Sequence, residues 1–165
     1  MRSIYIVLFG ILVSKNMVAQ DSNSESFLGK SAPVFSVTTI DGSKYQIGEP
    51  GDNIYVINFW FIACGPCRSE LPLLNELANA YKNDSTIRFI AISNIDKKLA
   101  LEYVQRKAGM VYELVEQAQY AADAFNVFYY PVNIIINRKG TVIFYEKGYQ
   151  KDIATKLKQV LDSEF

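Results

Sequence analysis

The segment "NIYVINFWFIACGPCRSELP", residues 53–72, constrains the fold more than any other part of the chain. Its first half is a largely apolar run rich in β-branched and aromatic residues. Such a run suits a central strand covered on both faces. Its second half begins a different period: Leu71, Leu74, Leu77, Ala78 and Tyr81 recur at helical spacing. Pro72 lies inside that helix and predicts a kink. The chain must therefore pass from a doubly covered strand into a helix within a few residues. This points to an α/β domain with a central sheet flanked by helices on both faces.

The remaining elements fit that plan. "PVFSVTTIDGSKYQI" alternates around Asp41-Gly42, the signal of a β-hairpin. "IRFIAIS" reads as a second buried strand. Asp96 is placed to cap a helix running to about Lys107. "YELVEQ" suggests a short strand and "YAADAFN" a short helix. "VNIIIN" and "TVIFYEKG" form a second hairpin with Gly140 at its turn. Ile153, Leu157, Val160 and Leu161 share one face of a closing helix.

Composition narrows the function. The 165 residues favour one domain, and 50% of them are hydrophobic, enough for a core. Seventeen basic residues balance seventeen acidic ones, so no strong field draws nucleic acid or an anionic membrane. The chain has no histidine, which removes the usual general base, the commonest metal ligand and any Cys-His nucleophile pair. At the amino terminus Arg2 precedes the apolar run Ile4–Val13 and then polar Ser14-Lys15-Asn16. Residues 1–20 read as a secretory signal peptide with a weak processing site near Ala19. The run falls short of the roughly 20 apolar residues of a comfortable membrane span. Residues 21–30 read as a flexible lead-in and 31–165 as the domain. Export implies a periplasmic or otherwise extracytoplasmic location, where disulfides persist.

Cys64 and Cys67 are the only cysteines. Cys64 follows a strand and stands where a helix begins. Free amides and the positive helix end stabilise a thiolate there, lowering the thiol pKa below the free value of about 8.5. A thiolate attacks a partner's disulfide and forms a mixed disulfide. One helical turn on, Cys67 is within reach to resolve it. Gly65 and Pro66 separate the two, and Pro66 lacks an N–H that the first helical turn leaves unused. A structural disulfide across so small a loop would constrain the unfolded chain little. A zinc site needs about four ligands, and no histidine or further cysteine can supply them. No metal and no cofactor are therefore expected.

"FWFIACGPCRSELP" resembles the active-site segment of thioredoxins, and more closely that of TlpA/ResA-like thiol–disulfide oxidoreductases. "SAPVFSVTTIDGSKYQI" resembles that family's amino-terminal hairpin. "YYPVNIIINRKGTVIFYEKG" resembles the segment carrying its cis-proline, a hairpin and a late glycine. The resemblance implies a thioredoxin fold with an N-terminal β-hairpin extension. It makes Cys64 the nucleophile and Cys67 the resolving thiol, Pro131 the cis-proline, and Tyr130-Pro131 a loop facing the disulfide. It sets Trp60 beside the site, although ordinary core packing is the equal alternative. Glu70 matches a frequent family glutamate and shares a helix face with Cys67. Three positions depart from the pattern: Ala63 before Cys64, Asn58 where thioredoxins have a buried aspartate, and Tyr130 before the proline.

The implied activity is reduction or exchange of protein disulfides, with cytochrome c maturation or envelope redox homeostasis as possible settings. Protein clients and an upstream electron donor are the implied partners. Nucleic acid is not, and a membrane enters only if the signal segment stays uncleaved. A monomer is expected. A peroxiredoxin-like enzyme is the alternative, but Ile57 and Phe61 occupy the positions of its Pro-x-x-x-Thr-x-x-Cys pattern. A copper carrier would add a histidine. A redox-inactive binding module would keep the cysteines without turnover.

Overall fold

The computed structural model describes residues 27–165; the signal segment and most of the lead-in lie outside them. A small hairpin, β1 (Phe35–Thr38) and β2 (Lys44–Ile47), precedes the main sheet. Then follow β3 (Ile54–Trp60), α1 (Gly65–Ala80), β4 (Ile87–Ser93), α2 (Lys98–Ala108), β5 (Glu113–Val115) and α3 (Gln119–Ala124). The chain closes with β6 (Val132–Ile136), β7 (Val142–Lys147) and α4 (Ile153–Asp162). The main sheet has the order β5-β4-β3-β6-β7. β3 lies at its centre, parallel to β4 and antiparallel to β6, and every residue of β3 is buried. This is the thioredoxin fold with an N-terminal hairpin.

Alternation along β3 explains the two layers. Ile54, Val56 and Trp60 pack with Leu71, Leu74 and Leu77 of α1 and with Ile153, Leu157 and Leu161 of α4. Tyr55, Ile57 and Phe59 face the opposite way, onto Ala121 and Ala122 of α3, Phe125 and the hairpin residues Val37 and Ile47. Burying each such aliphatic side chain stabilises the fold by about 1.5–3 kcal/mol, so both faces contribute to stability.

Pro72 does not end α1, which continues as one helix to Ala80. The expected cap at Asp96 is corrected. α2 starts at Lys98 with Lys97 as its cap residue and no side-chain cap bond. The Asp96 carboxylate instead accepts from the Ile62 amide at 2.7 Å and from the Ser93 hydroxyl at 2.9 Å. It ties the loop before Cys64 to the end of β4. The lead-in is anchored from Phe27 onward. The Phe27 ring lies 5.3 Å from Phe125 and 5.7 Å from Tyr145, and the Gly29 amide donates to the Val142 carbonyl. Gly140 turns the second hairpin at φ +73°, where a Cβ would sit 2.4 Å from the Gly48 carbonyl oxygen. Only glycine permits that approach, which seats the extension on the sheet.

Candidate active site

Strand β3 ends at Trp60, and a four-residue connection delivers Cys64 as the cap residue of α1. Cys64 and Cys67 form a disulfide with Cα atoms 5.3 Å apart. The Cys67 amide donates to Cys64 Sγ at 3.2 Å, so a free N–H of the first helical turn points at the first sulfur. Pro66 falls in that same turn, where its missing N–H leaves no gap in the ladder. Gly65 is exposed, and a Cβ there would meet nothing within 4 Å. Cys64 is 6% exposed and Cys67 2%. Cys64 is the more accessible residue, by a small margin.

The Tyr130-Pro131 peptide bond is cis. Pro131 is buried, and its carbonyl accepts from the Gly148 amide at 2.7 Å, which closes the loop against the end of β7. The Tyr130 ring packs edge-on against Phe61 at 5.3 Å, joining this loop to the strand exit that precedes Cys64. Phe128 and Tyr129, just before it, are 69% and 76% exposed. Trp60 is fully buried in the same cluster as both cysteines, so site neighbour and core residue describe one position.

Glu70 is fully buried. Its Oε1 accepts from the Gln150 amide and its Oε2 from the Asn133 side-chain amide, each at 2.9 Å. Asn133 Oδ1 in turn accepts from Asn58 Nδ2 at 2.9 Å. Burial pushes the Glu70 carboxyl above its usual range; the Gln150 and Asn133 donors pull against that shift, and the charge of Glu146 adds to it. The cover over Glu70 thus comes from Asn133 and the segment after β7. Sequence reasoning did not single out Asn133 or Gln150. A signal for Asn133 existed: "VINFW" and "VNIII" each carry one polar residue in a fully buried strand, and Asn58 and Asn133 are register partners. Nothing in the sequence marks the backbone N–H of Gln150.

Among the described residues no cluster of His, Cys, Asp or Glu could hold a metal, and no helix is long and apolar enough to cross a membrane.

A family model described as AhpC/TSA matches residues 28–145. The thiol-disulfide oxidoreductase ResA of Geobacillus kaustophilus is 28% identical over 116 residues. That alignment covers 70% of this chain and 66% of the relative, so the chain spans about two thirds of the relative's length. The thioredoxin-like protein YneN of Bacillus subtilis is 28% identical over 119 residues, covering 69% of this chain and 68% of its own. Among solved structures, StoA from Bacillus subtilis superposes with a TM-score of 0.66 at 20% identity, covering 81% of this chain and 98% of that one.

Proposed function

The chain belongs to the AhpC/TSA family, and on that premise we propose that it is a thiol–disulfide oxidoreductase that reduces protein disulfides outside the cytoplasm. The observation that carries the reading is the Cys64–Cys67 disulfide at a helix start, with the Cys67 amide aimed at Cys64 Sγ. In the reduced protein that N–H and the helix end stabilise a Cys64 thiolate. The thiolate attacks a client disulfide, forms a mixed disulfide and releases one client thiolate, which takes up a proton. Cys67 then loses its proton and attacks Cys64 Sγ. The second client thiolate leaves and is protonated, and the Cys64–Cys67 bond closes. Two electrons have passed to the client, and an upstream dithiol donor returns the pair to its reduced state. The exposed Phe128 and Tyr129, just before the Tyr130-Pro131 loop, offer a client an apolar surface. The signal-peptide pattern of residues 1–20 and the names of the relatives ResA and YneN support this reading.

Turbidity from insulin reduced by the protein with dithiothreitol as donor tests the activity. The expected result is catalytic reduction. Peroxide consumption in its place, or no turnover, would overturn the reading.

Glu70 takes the role of proton carrier to the dithiol. It shares a helix face with Cys67, and burial raises its carboxyl above the usual carboxylate range, which suits it to exchange protons with the dithiol. When ionised it opposes thiolate formation next to it, so it raises a thiol pKa. Removing that charge must lower the thiol pKa. Glu70→Gln is therefore expected to move the pH curve of thiol alkylation of the reduced protein to lower pH and to change the pH profile of insulin reduction. Superimposable curves would make Glu70 a purely structural residue.

A further inference from the structure

Asn58, Asn133 and Glu70 form one directed chain of buried side chains. Asn58 and Asn133 are register partners on β3 and β6, 2% and 1% exposed, and both turn toward α1. Asn58 Nδ2 donates to Asn133 Oδ1, and Asn133 Nδ2 donates to Glu70 Oε2, each at 2.9 Å. We infer that Asn133 is a positioning residue for Glu70, and that Asn58 dictates which end of the Asn133 amide Glu70 meets. This rests on the reading of Glu70 as the proton carrier for the dithiol.

An amide has one acceptor end and one donor end. With its oxygen engaged by Asn58, Asn133 can offer Glu70 only its NH2. That favours the ionised carboxylate and fixes it on the face shared with Cys67. A flipped Asn133 would set oxygen against oxygen unless Glu70 carried a proton. An aspartate at position 58 would be an ionisable acceptor facing the Asn133 oxygen, and would press for that flip. Asparagine at 58 supplies the donor the chain needs and leaves Glu70 the one ionisable member of the three. The other titratable groups about Glu70 are Cys67 on α1, Glu146 on β7 and the buried Tyr112 before β5. Glu146 is itself paired with Lys156 of α4 at 3.5 Å. None of them bonds to the Asn133 amide.

Two measurements test this on the full domain. In the wild-type reduced protein, the side-chain amide resonances of Asn133 and Asn58 should titrate with the same midpoint as the Glu70 carboxyl carbon. Asn133→Ala removes a donor to the carboxylate, so the Glu70 midpoint should rise by about one pH unit. Asn133→Ser, which retains a hydroxyl donor, should restore part of that shift. In a Glu70→Gln background, Asn133→Ala should leave the thiol alkylation curve unmoved. Amide resonances that ignore the Glu70 titration would overturn the inference. So would an alkylation shift from Asn133→Ala that is the same with and without Glu70. The reading of Glu70 fails separately, if Glu70→Gln alone leaves alkylation unchanged while the amides still follow the carboxyl.

Discussion

Cys64→Ser is expected to reduce insulin reduction to the background of the dithiothreitol donor alone, with the fold unchanged. Cys64 supplies the attacking sulfur, and no other thiol in the chain can replace it, because Cys67 is the only other one and is 2% exposed. A serine hydroxyl is not ionised near neutral pH and cannot exchange with a disulfide. The substitution keeps the side-chain volume nearly constant, and an oxygen at the helix cap still accepts from the Cys67 amide. Circular dichroism and the urea midpoint of the mutant should therefore match those of reduced wild type. Cys67→Ser should behave differently: attack still occurs, but resolution fails and the client stays attached. Equal activity loss in both variants with no trapped client from either would show that the two sulfurs do not divide the work in this way.

Trp60→Ala is expected to cost about 3–5 kcal/mol of stability, a large share of the roughly 5–15 kcal/mol typical of a domain. The Trp60 side chain is the largest of the fully buried ones and packs in the cluster that holds Cys64, Cys67, Leu71 and Leu74. Truncation leaves a cavity directly under the start of α1. Among the described residues the indole N–H has no hydrogen-bond partner, so Trp60→Phe loses mainly packing and should cost much less. Urea denaturation followed by circular dichroism compares the three proteins. If Trp60→Ala costs less than about 1 kcal/mol, the ring is not a core element and its place beside the cysteines needs another explanation.

The architecture was legible because period and placement agree at every long element. The β3 run is apolar at every position but Asn58 because helices and the hairpin cover both sides of it. Helical spacing after Cys64 and in the closing helix likewise survived into α1 and α4. Local signals misled where a tertiary partner outbid them. Asp96 looks like a helix cap, but the loop amide of Ile62 takes its carboxylate. Phe27 sits in a polar stretch, yet an aromatic pocket formed by residues distant in sequence holds it. At the site, the spacing of Cys64, Cys67 and Glu70 on one helix could be read directly. The partners of Glu70 could not, because they arrive from β6 and from beyond β7 through strand register and a backbone amide. A lone asparagine in each of two buried strands was the visible trace of that contact.

Capture of a mixed disulfide decides which sulfur attacks. Reduced Cys67→Ser is mixed with a peptide containing an intramolecular disulfide, quenched with acid, and mapped by mass spectrometry. The expected result is a stoichiometric adduct on Cys64 that dithiothreitol releases, and a far slower adduct on Cys67 in the Cys64→Ser protein. Adduct formation on Cys67 at a rate equal to or above that on Cys64, or no adduct on either, would contradict it.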